Sequence, residues 1–499
     1  MGRSKNKIFK DIVHGYITIP EDYCIYIIDT EIFQRLRRIE QTSIRSLYPS
    51  AHHERFVHSL GTYYLGDKIF NNIIENIEIH QDEEMGKALS HSDWELLGNT
   101  YRLACLLHDC GHAPFSHTLE HYYELYNDLN GILEELTQED ESFMRDCVGQ
   151  FSGSPHEKVS AILVLKYFKD ILDNKLQANA FLAARMIIGC QISNPKNNFE
   201  KISNCFIQLL NGGIIDADRL DYAKRDVMSS GYSTVNIDFD RLLSAICIKK
   251  DKFAHKDDFD GEYKVCFHKG AILDIPRILE IKDFQSSWVF CHHKTIYDQH
   301  ILIEAINTLV NIIAKISGTD KDVIFRELFN LNSFYNVSPL GKYDSIYLLS
   351  DGDIMYLMKK YIHGNKFAQE WFSRCHRLKP LWKSHAELRS LFHDVPISKL
   401  DKNGKLEKKA EELLKGYFKE TLGDNTIPIL KKEAKNVLSA IDTNYVYIYI
   451  NEKVVKFEDI IEIEPSTSKD YFYLYVPRDL IPDNKSKIGI IKHIKKGII

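Results

Sequence analysis

The chain has 499 residues, 44% of them hydrophobic, which is enough to bury a large core and to divide into more than one domain. A net charge of −6 leaves no global electrostatic footprint for nucleic acid, although a local basic groove stays open. The 10 cysteines form no CxxC pair and sit in apolar stretches such as those around Cys105, Cys190 and Cys247; this fits reduced, buried thiols better than a disulfide framework or structural zinc.

From the N-terminus, residues 1–6 carry neither the apolar region of a signal peptide nor a myristoylation signal. No apolar run approaches a membrane span, so a soluble, cytoplasmic chain with no membrane partner is expected. Residues 7–20 alternate around His14-Gly15 and predict a short hairpin. Residues 21–48 place Ile25, Ile28, Phe33, Leu36 and Ile39 at helical spacing, interrupted at Asp29-Thr30, which can cap the second piece. The opposite face, Gln34, Arg35, Arg37, Arg38 and Gln41, reads as solvated or as a nucleotide contact. A further helix opens at residues 52–61 and runs through Tyr64 and Ile69, with Arg55 and His58 three apart on one side.

Residues 102–120 hold the most informative stretch. Leu103, Leu106 and Leu107 predict a buried helix that ends in His108-Asp109, with Gly111 and Pro114 stopping it. A helix burying leucines has no packing reason to finish in an imidazole beside a carboxylate, a poor core and a good divalent-metal half-site. His117 and Glu120 stand at i and i+3 on a new helix that Pro114 can start. There the carboxylate can orient the imidazole for proton donation. His156-Glu157 begins another helix behind Ser154-Pro155, and residues 172–205 read as ordinary amphipathic helix. In residues 211–226, Asp218, Asp221, Tyr222 and Arg225 share one helical face flanked by Ile214, Ile215 and Leu220. That is the pattern of a partly buried polar site.

Beyond this, residues 251–270 predict a hairpin turning at Asp260-Gly261, and residues 271–316 are helical, including His292-His293-Lys294. Residues 320–435 continue as helices with charged linkers near 375–405. Residues 445–450 and 471–476 have strand composition around a polar break at 465–469, the stuff of sheet core or a subunit interface. The lysine-rich end, residues 485–499, reads as solvated. No internal repeat and no GxxxxGK[ST] loop is present, so phosphates can be handled only by a metal and basic side chains.

His58, then His108-Asp109, then Asp218 resembles the H…HD…D signature of the HD-domain phosphohydrolases. The blocks around Phe33–Arg37, Arg55–Gly61, His108–His117 and Asp216–Tyr222 are similar, more narrowly, to the deoxynucleoside triphosphate triphosphohydrolases, over roughly residues 7–300. The resemblance implies a mainly α chain, an HD-domain helical fold with short β-hairpins and a small C-terminal α+β region. Its expected segments are an HD phosphohydrolase domain (1–330), a helical extension (331–440) and a small β-containing region (441–499). It also implies one divalent ion per active site (Mn, Fe, Mg, Ni or Zn) on His58, His108, Asp109 and Asp218, with Arg55 neutralising phosphate charge. Water would attack the α-phosphorus of a dNTP and release triphosphate.

In that family's terms His117 is the general acid, Glu120 its orienting carboxylate, and His112 and His156 contact phosphates. Gln41, Arg219, Tyr222 and Asp226 line the nucleoside. Lys7, Asp29, Arg37 and Arg241 match a regulatory GTP or dGTP site, with assembly into a homo-dimer or tetramer. The chain departs from the pattern at Gln41-Thr42-Ser43-Ile44, where the family has Gln-Leu-Gly-Gly, and at Lys10, where it has asparagine. Two other readings share these residues: an HD-type phosphodiesterase acting on single-stranded nucleic acid or a signalling nucleotide, with nucleic acid the less favoured partner, and a non-catalytic nucleotide-binding regulator.

Overall fold

The computed structural model describes residues 5–42, 47–147, 153–212, 215–231, 238–251, 262–393, 405–423, 430–434, 446–461 and 471–498. Helices dominate, and the described strands are β1 (Asn6–Asp11), β2 (Gly15–Pro20), β3 (Ile246–Asp251), β4 (Glu262–His268), β5 (Ser338–Leu340), β6 (Asp344–Ile346), β7 (Leu378–Pro380), β8 (Leu430–Ala434), β9 (Tyr447–Ile450), β10 (Lys453–Lys456) and β11 (Tyr471–Pro477). Backbone packing groups the chain into two compact units, each discontinuous in sequence. One is Met1–Lys282 with Thr308–Tyr361 and Ile441–Glu464; the other is Asp283–Asn307 with Ile362–Ala440 and Pro465–Ile499. The linear segments 1–330, 331–440 and 441–499 do not follow this grouping, because β9 pairs in parallel with β4 while β11 pairs with β7 and β8.

In the first unit, alternation at residues 7–20 produces the antiparallel β1–β2 hairpin, with Lys7 opposite Ile19 and Asp11 opposite Gly15. The Asp11 carboxylate closes the turn by accepting the amides of Val13 and His14 at 2.9 and 2.8 Å. Thr30 caps the next helix by accepting from the Phe33 amide, as its position predicts. That helix spans only Glu31–Gln34 before tightening into a 3₁₀ turn at Arg35–Arg38. The tightening turns Arg35 inward, so that of the face expected to be solvated or to contact a nucleotide this side chain is not solvated. Its guanidinium is 2% exposed and donates to the carbonyls of Leu349 and His112, both at 2.7 Å. Gln41 is buried as well.

Four helices frame the site: α1 (Arg55–Ile79), α2 (His91–Leu107), α3 (Pro155–Leu163) and α4 (Ala217–Ser230). Reciprocal capping boxes start α2 (Ser90 with Asp93) and α3 (Ser154 with Glu157). Asp216 caps α4 through the Arg219 amide. Leu103, Leu106 and Leu107 are fully buried, each contributing about 1.5–3 kcal/mol of apolar burial. Gly111 lies so near α3 that a Cβ there would stand 2.4 Å from the Ser160 nitrogen, so only glycine lets the end of α2 sit against α3. The helix expected to start at Pro114 does not form. Phe115 and Ser116 adopt left-handed φ values of 54° and 52°, residues 116–118 form a 3₁₀ turn, and regular helix resumes at His121. The Asp351 carboxylate accepts the Phe115 amide at 2.7 Å and so holds the turn open. The first unit also contains the four-stranded sheet β10-β9-β4-β3 and the β5–β6 ribbon. The turn at Asp260-Gly261 and the break at 465–469 lie outside the described residues.

The second unit is built on the antiparallel sheet β7-β11-β8. Tyr473 and Tyr475 of β11 are buried in its core beside Trp382, and their hydroxyls donate to the carbonyls of Cys291 and His293 at 2.9 and 2.6 Å. The lysine-rich end is more than a solvated tail: Asn484–Ile498 is an amphipathic helix whose Ile490, Ile491 and Ile494 are buried in this core. One described helix, α5 (His293–Ser317), is long and apolar enough to cross a membrane by length and composition, which corrects the expectation that no run approaches that limit. Its Ile301, Leu302, Ala305, Ile306, Leu309 and Val310 are buried in the protein.

Candidate metal and phosphate site

The N-terminus of α1, the C-terminal end of α2 and the first turn of α4 bring together residues separated by up to 160 positions of chain. His58 Nε2 lies 3.3 Å from His108 Nε2 and 2.9 Å from Asp218 Oδ1, and His108 Nε2 lies 3.4 Å from the same oxygen. Asp109 completes the group, its oxygens 3.5 Å from each of the two Nε2 atoms. Both imidazoles are oriented from behind. His58 Nδ1 donates to Asp221 Oδ2 at 2.7 Å, and His108 Nδ1 donates to the Cys105 carbonyl at 2.8 Å. The Nε2 atoms therefore face one another across a space ringed by carboxylates, the arrangement of histidine metal ligands backed by outer hydrogen bonds.

The electrostatics ask for a cation in the same place. Burial works against charge on His58, but its hydrogen bonds to Asp218 and Asp221 overrule it and push the imidazole up to about 10. Burial also opposes ionisation of Asp109 and Asp218. The Arg55 guanidinium and the two imidazoles hold Asp109 below the usual carboxylate range, and His108 and His58 do the same for Asp218. Two imidazoles and two carboxylates of this disposition fit a divalent ion of the Mn, Fe, Mg, Ni or Zn type.

A second cluster adjoins the first. His112, His117, Glu120 and His156 offer ligand-type atoms all within 4.8 Å of one another. Glu120 accepts from His117 Nδ1 at 3.1 Å and from His156 Nδ1 at 2.7 Å. Burial would raise Glu120, but His117 and His156 hold it below the normal range, and Glu120 in return raises His156 against its own burial. His112 stacks on His156 with ring centroids 4.0 Å apart, and its Nε2 stands 3.7 Å from Asp109 Oδ1. Burial, with Arg55 and His156 nearby, holds His112 well below its ordinary value. Among the described residues neither ring nitrogen of His112 has a hydrogen-bond partner although the side chain is fully buried, a costly state that a ligand oxygen would relieve.

Arg55 ties the clusters to the loop before α1. It donates to Asp109 Oδ2 at 2.8 Å, to the Ser116 hydroxyl at 3.0 Å and to the Gln41 carbonyl at 3.2 Å. The buried Oε1 of Gln41 has no partner among the described residues. Arg219 pairs with Asp216 at 3.2 Å, and burial raises Tyr222. Asp226 is buried against His53, whose Nε2 donates to it at 2.9 Å. Of the regulatory set, Lys7 and Asp29 meet on the surface at 3.1 Å. Arg37 instead bonds Gln34 and lies over the Phe56 ring, while Arg241 donates to the Gly270 carbonyl. Thr42 is buried, and Ser43 and Ile44 lie outside the described residues. Sequence reasoning did not find His14, Asp11, Ser116 or Asp351, which support the site from outside it.

Comparison with known proteins places this geometry. A model of the HD domain matches residues 55–185, which includes His58, His108 and Asp109 and stops before Asp218. An uncharacterised protein of Methanocaldococcus jannaschii is 30% identical over 57% of this chain and 46% of its own. The protein named deoxynucleoside triphosphate triphosphohydrolase SAMHD1 homolog of Dictyostelium discoideum is 30% identical over 48% of this chain and 40% of its own. The chain thus spans less than half the length of either relative. A crystal structure of a phosphohydrolase from Bacteroides thetaiotaomicron shares the fold, with a TM-score of 0.59 and 20% identity over 95% of this chain and 100% of that one.

Proposed function

We propose that this chain, whose residues 55–185 match an HD domain, is an HD-domain phosphohydrolase and that it hydrolyses deoxynucleoside triphosphates to a deoxynucleoside and triphosphate. The observation that carries the reading is the contiguity of a two-histidine, two-carboxylate group with a histidine–glutamate group, bridged by Asp109, whose Oδ1 stands 3.7 Å from His112 Nε2 and whose Oδ2 pairs with Arg55 at 2.8 Å. A divalent ion held by His58, His108, Asp109 and Asp218 supplies Lewis acidity and charge neutralisation at a phosphate.

The chain's own residues supply the rest. Arg55 adds positive charge beside the phosphates, and His112 and His156 offer ring nitrogens to phosphate oxygens. Water adds to the α-phosphorus and the bond from phosphorus to the 5′ oxygen breaks. His117, aimed by Glu120, delivers a proton to that oxygen. The unpartnered Gln41 Oε1 is placed to read the nucleoside, with Arg219, Tyr222 and Asp226 as its further lining. The relatives named as dNTP triphosphohydrolases support this choice of substrate.

Metal-reconstituted protein incubated with each dNTP, each rNTP and a labelled single-stranded oligonucleotide tests the reading. Triphosphate released from dNTPs alone is the expected result. A cleaved oligonucleotide would assign the site to a phosphodiesterase, and no product from metal-loaded protein would leave a nucleotide-binding regulator. We extend the proposal to regulation through Lys7, Asp29, Arg37 and Arg241 in a cytoplasmic homo-oligomer. GTP or dGTP that changes neither turnover nor subunit assembly rejects that extension.

A further inference from the structure

The turn of the β1–β2 hairpin reaches the metal ligands through buried charge. Asp221 is clamped between two imidazoles: His14 Nε2 donates to its Oδ1 at 2.6 Å, and His58 Nδ1 donates to its Oδ2 at 2.7 Å. Arg225, one turn along α4, donates to the same carboxylate from Nε and Nη2 at 2.8 and 3.0 Å, and from Nη1 to Asp11 at 2.8 Å. Asp11 in turn fixes the backbone of His14. The side chains are sealed from water, His14 at 2%, Asp221 at 0% and Arg225 at 1% exposure. α1 makes room for them: a Cβ on Gly61, three residues past His58, would stand 1.9 Å from Asp221 Oδ1 and 2.5 Å from Arg225 Nη2.

Burying this many ionic groups is a poor way to anchor a hairpin. Desolvation costs several kcal/mol per ion, and apolar side chains of similar volume usually serve as well or better. Three of the four donors to Asp221 come from His14 and Arg225, and the fourth is His58 itself. The group the network orders is therefore the one imidazole whose opposite nitrogen faces Asp218 and His108.

We propose that His14 and Asp11 are positioning residues for the metal ligand His58: the hairpin turn, acting through Asp221, sets the ring's orientation and so the affinity of the site for a divalent cation. This rests on the metal reading above. Outer partners of ligating histidines are worth about 10- to 100-fold in metal affinity, the scale expected here.

The test is titration of the full chain, stripped with a chelator, with Mn²⁺, reading free ion by electron paramagnetic resonance, alongside the melting temperature of each metal-free variant. His14→Ala should weaken Mn²⁺ binding about 10- to 100-fold. His14→Gln, whose amide can still donate to Asp221, should recover most of that loss, and Asp11→Asn should produce a smaller weakening. A folded His14→Ala that binds Mn²⁺ as the parent does, with only a lowered metal-free melting temperature, makes the hairpin a structural anchor and overturns the proposal. If His14→Ala yields no folded protein, Asp11→Asn decides, parental affinity overturning the inference. A parent chain that takes up no Mn²⁺ removes the metal reading itself, which separates the two failures.

Discussion

The two histidine clusters lie side by side yet are built differently. In the first, each imidazole spends its rear nitrogen on a fixed acceptor, Asp221 for His58 and the Cys105 carbonyl for His108, and both rings are buried. In the second, His117 is 60% exposed, Glu120 is shared between two rings, and the buried His112 has no partner for either nitrogen among the described residues. Rings locked from behind suit a group that must hold a charge in one place. A shared carboxylate with one ring open to solvent suits a group that must pass a proton. The contrast teaches that histidine count says little about role; what binds the second nitrogen says more.

If the first cluster is the holding one, His58→Ala or Asp218→Ala produces the largest effect of any change: metal content falls to near zero and hydrolysis to the uncatalysed background, as metal analysis and triphosphate release will report. Activity that survives with the metal lost would erase the distinction between the clusters. If the second moves a proton, His117→Ala lowers kcat by about 10²- to 10⁴-fold with metal content unchanged. A matching loss of metal would instead make His117 part of the holding group.

Asp351 sharpens the comparison from outside. It accepts the amides of Phe115 and Glu40 at 2.7 and 3.0 Å, and so joins the loop carrying Ser116 and His117 to the loop carrying Gln41. Burial overrides those hydrogen bonds and raises its carboxyl to about 7. A folded value above the unfolded one means that stability is fully present below about pH 4 and is lost as pH rises through 7. The carboxylate then costs on the order of 4 kcal/mol. Asp351→Asn never pays that cost, though it leaves one amide without an acceptor, about 1–3 kcal/mol at any pH. Denaturant melts should find the variant less stable than the parent near pH 4 and the difference closing or reversing by pH 8. A difference independent of pH would show that Asp351 is ionised throughout.

Much of the site could be read from the chain because its signals are local. His108-Asp109 closes a leucine helix, Ser154-Pro155 announces α3, and Asp216 caps α4 with Asp218 in its first turn. What stayed hidden depends on distant partners. Arg35 reads as solvated or nucleotide-facing because periodicity continues a helix that in fact tightens at residue 35, and the acceptors that bury it are carbonyls at 112 and 349. Pro114 looked like a helix start because nothing nearby shows that Asp351, 236 residues on, captures the Phe115 amide. The hairpin at 7–20 was evident from alternation, but the reach of His14 to Asp221 crosses 207 positions and leaves no mark on spacing. The lysine-rich end misled by composition, since three isoleucines on one face outweigh five lysines once a core is there to receive them.

Glu120 gives the finest division between the clusters. It touches neither Asp109 nor the histidines of the first group among the described contacts; its two oxygens go to His117 and His156. Glu120→Gln keeps the shape and one acceptor but removes the negative charge that faces the two imidazoles, a charged hydrogen bond worth about 1.5–3 kcal/mol. That corresponds to roughly a 10- to 100-fold fall in kcat, with KM and Mn²⁺ affinity little changed if the residue only aims the proton donor. A rise in KM of the same size would place Glu120 in phosphate binding through His156. A fall in Mn²⁺ affinity would mean that the two clusters are one electrostatic unit, and the division drawn from their rear hydrogen bonds would have to be abandoned.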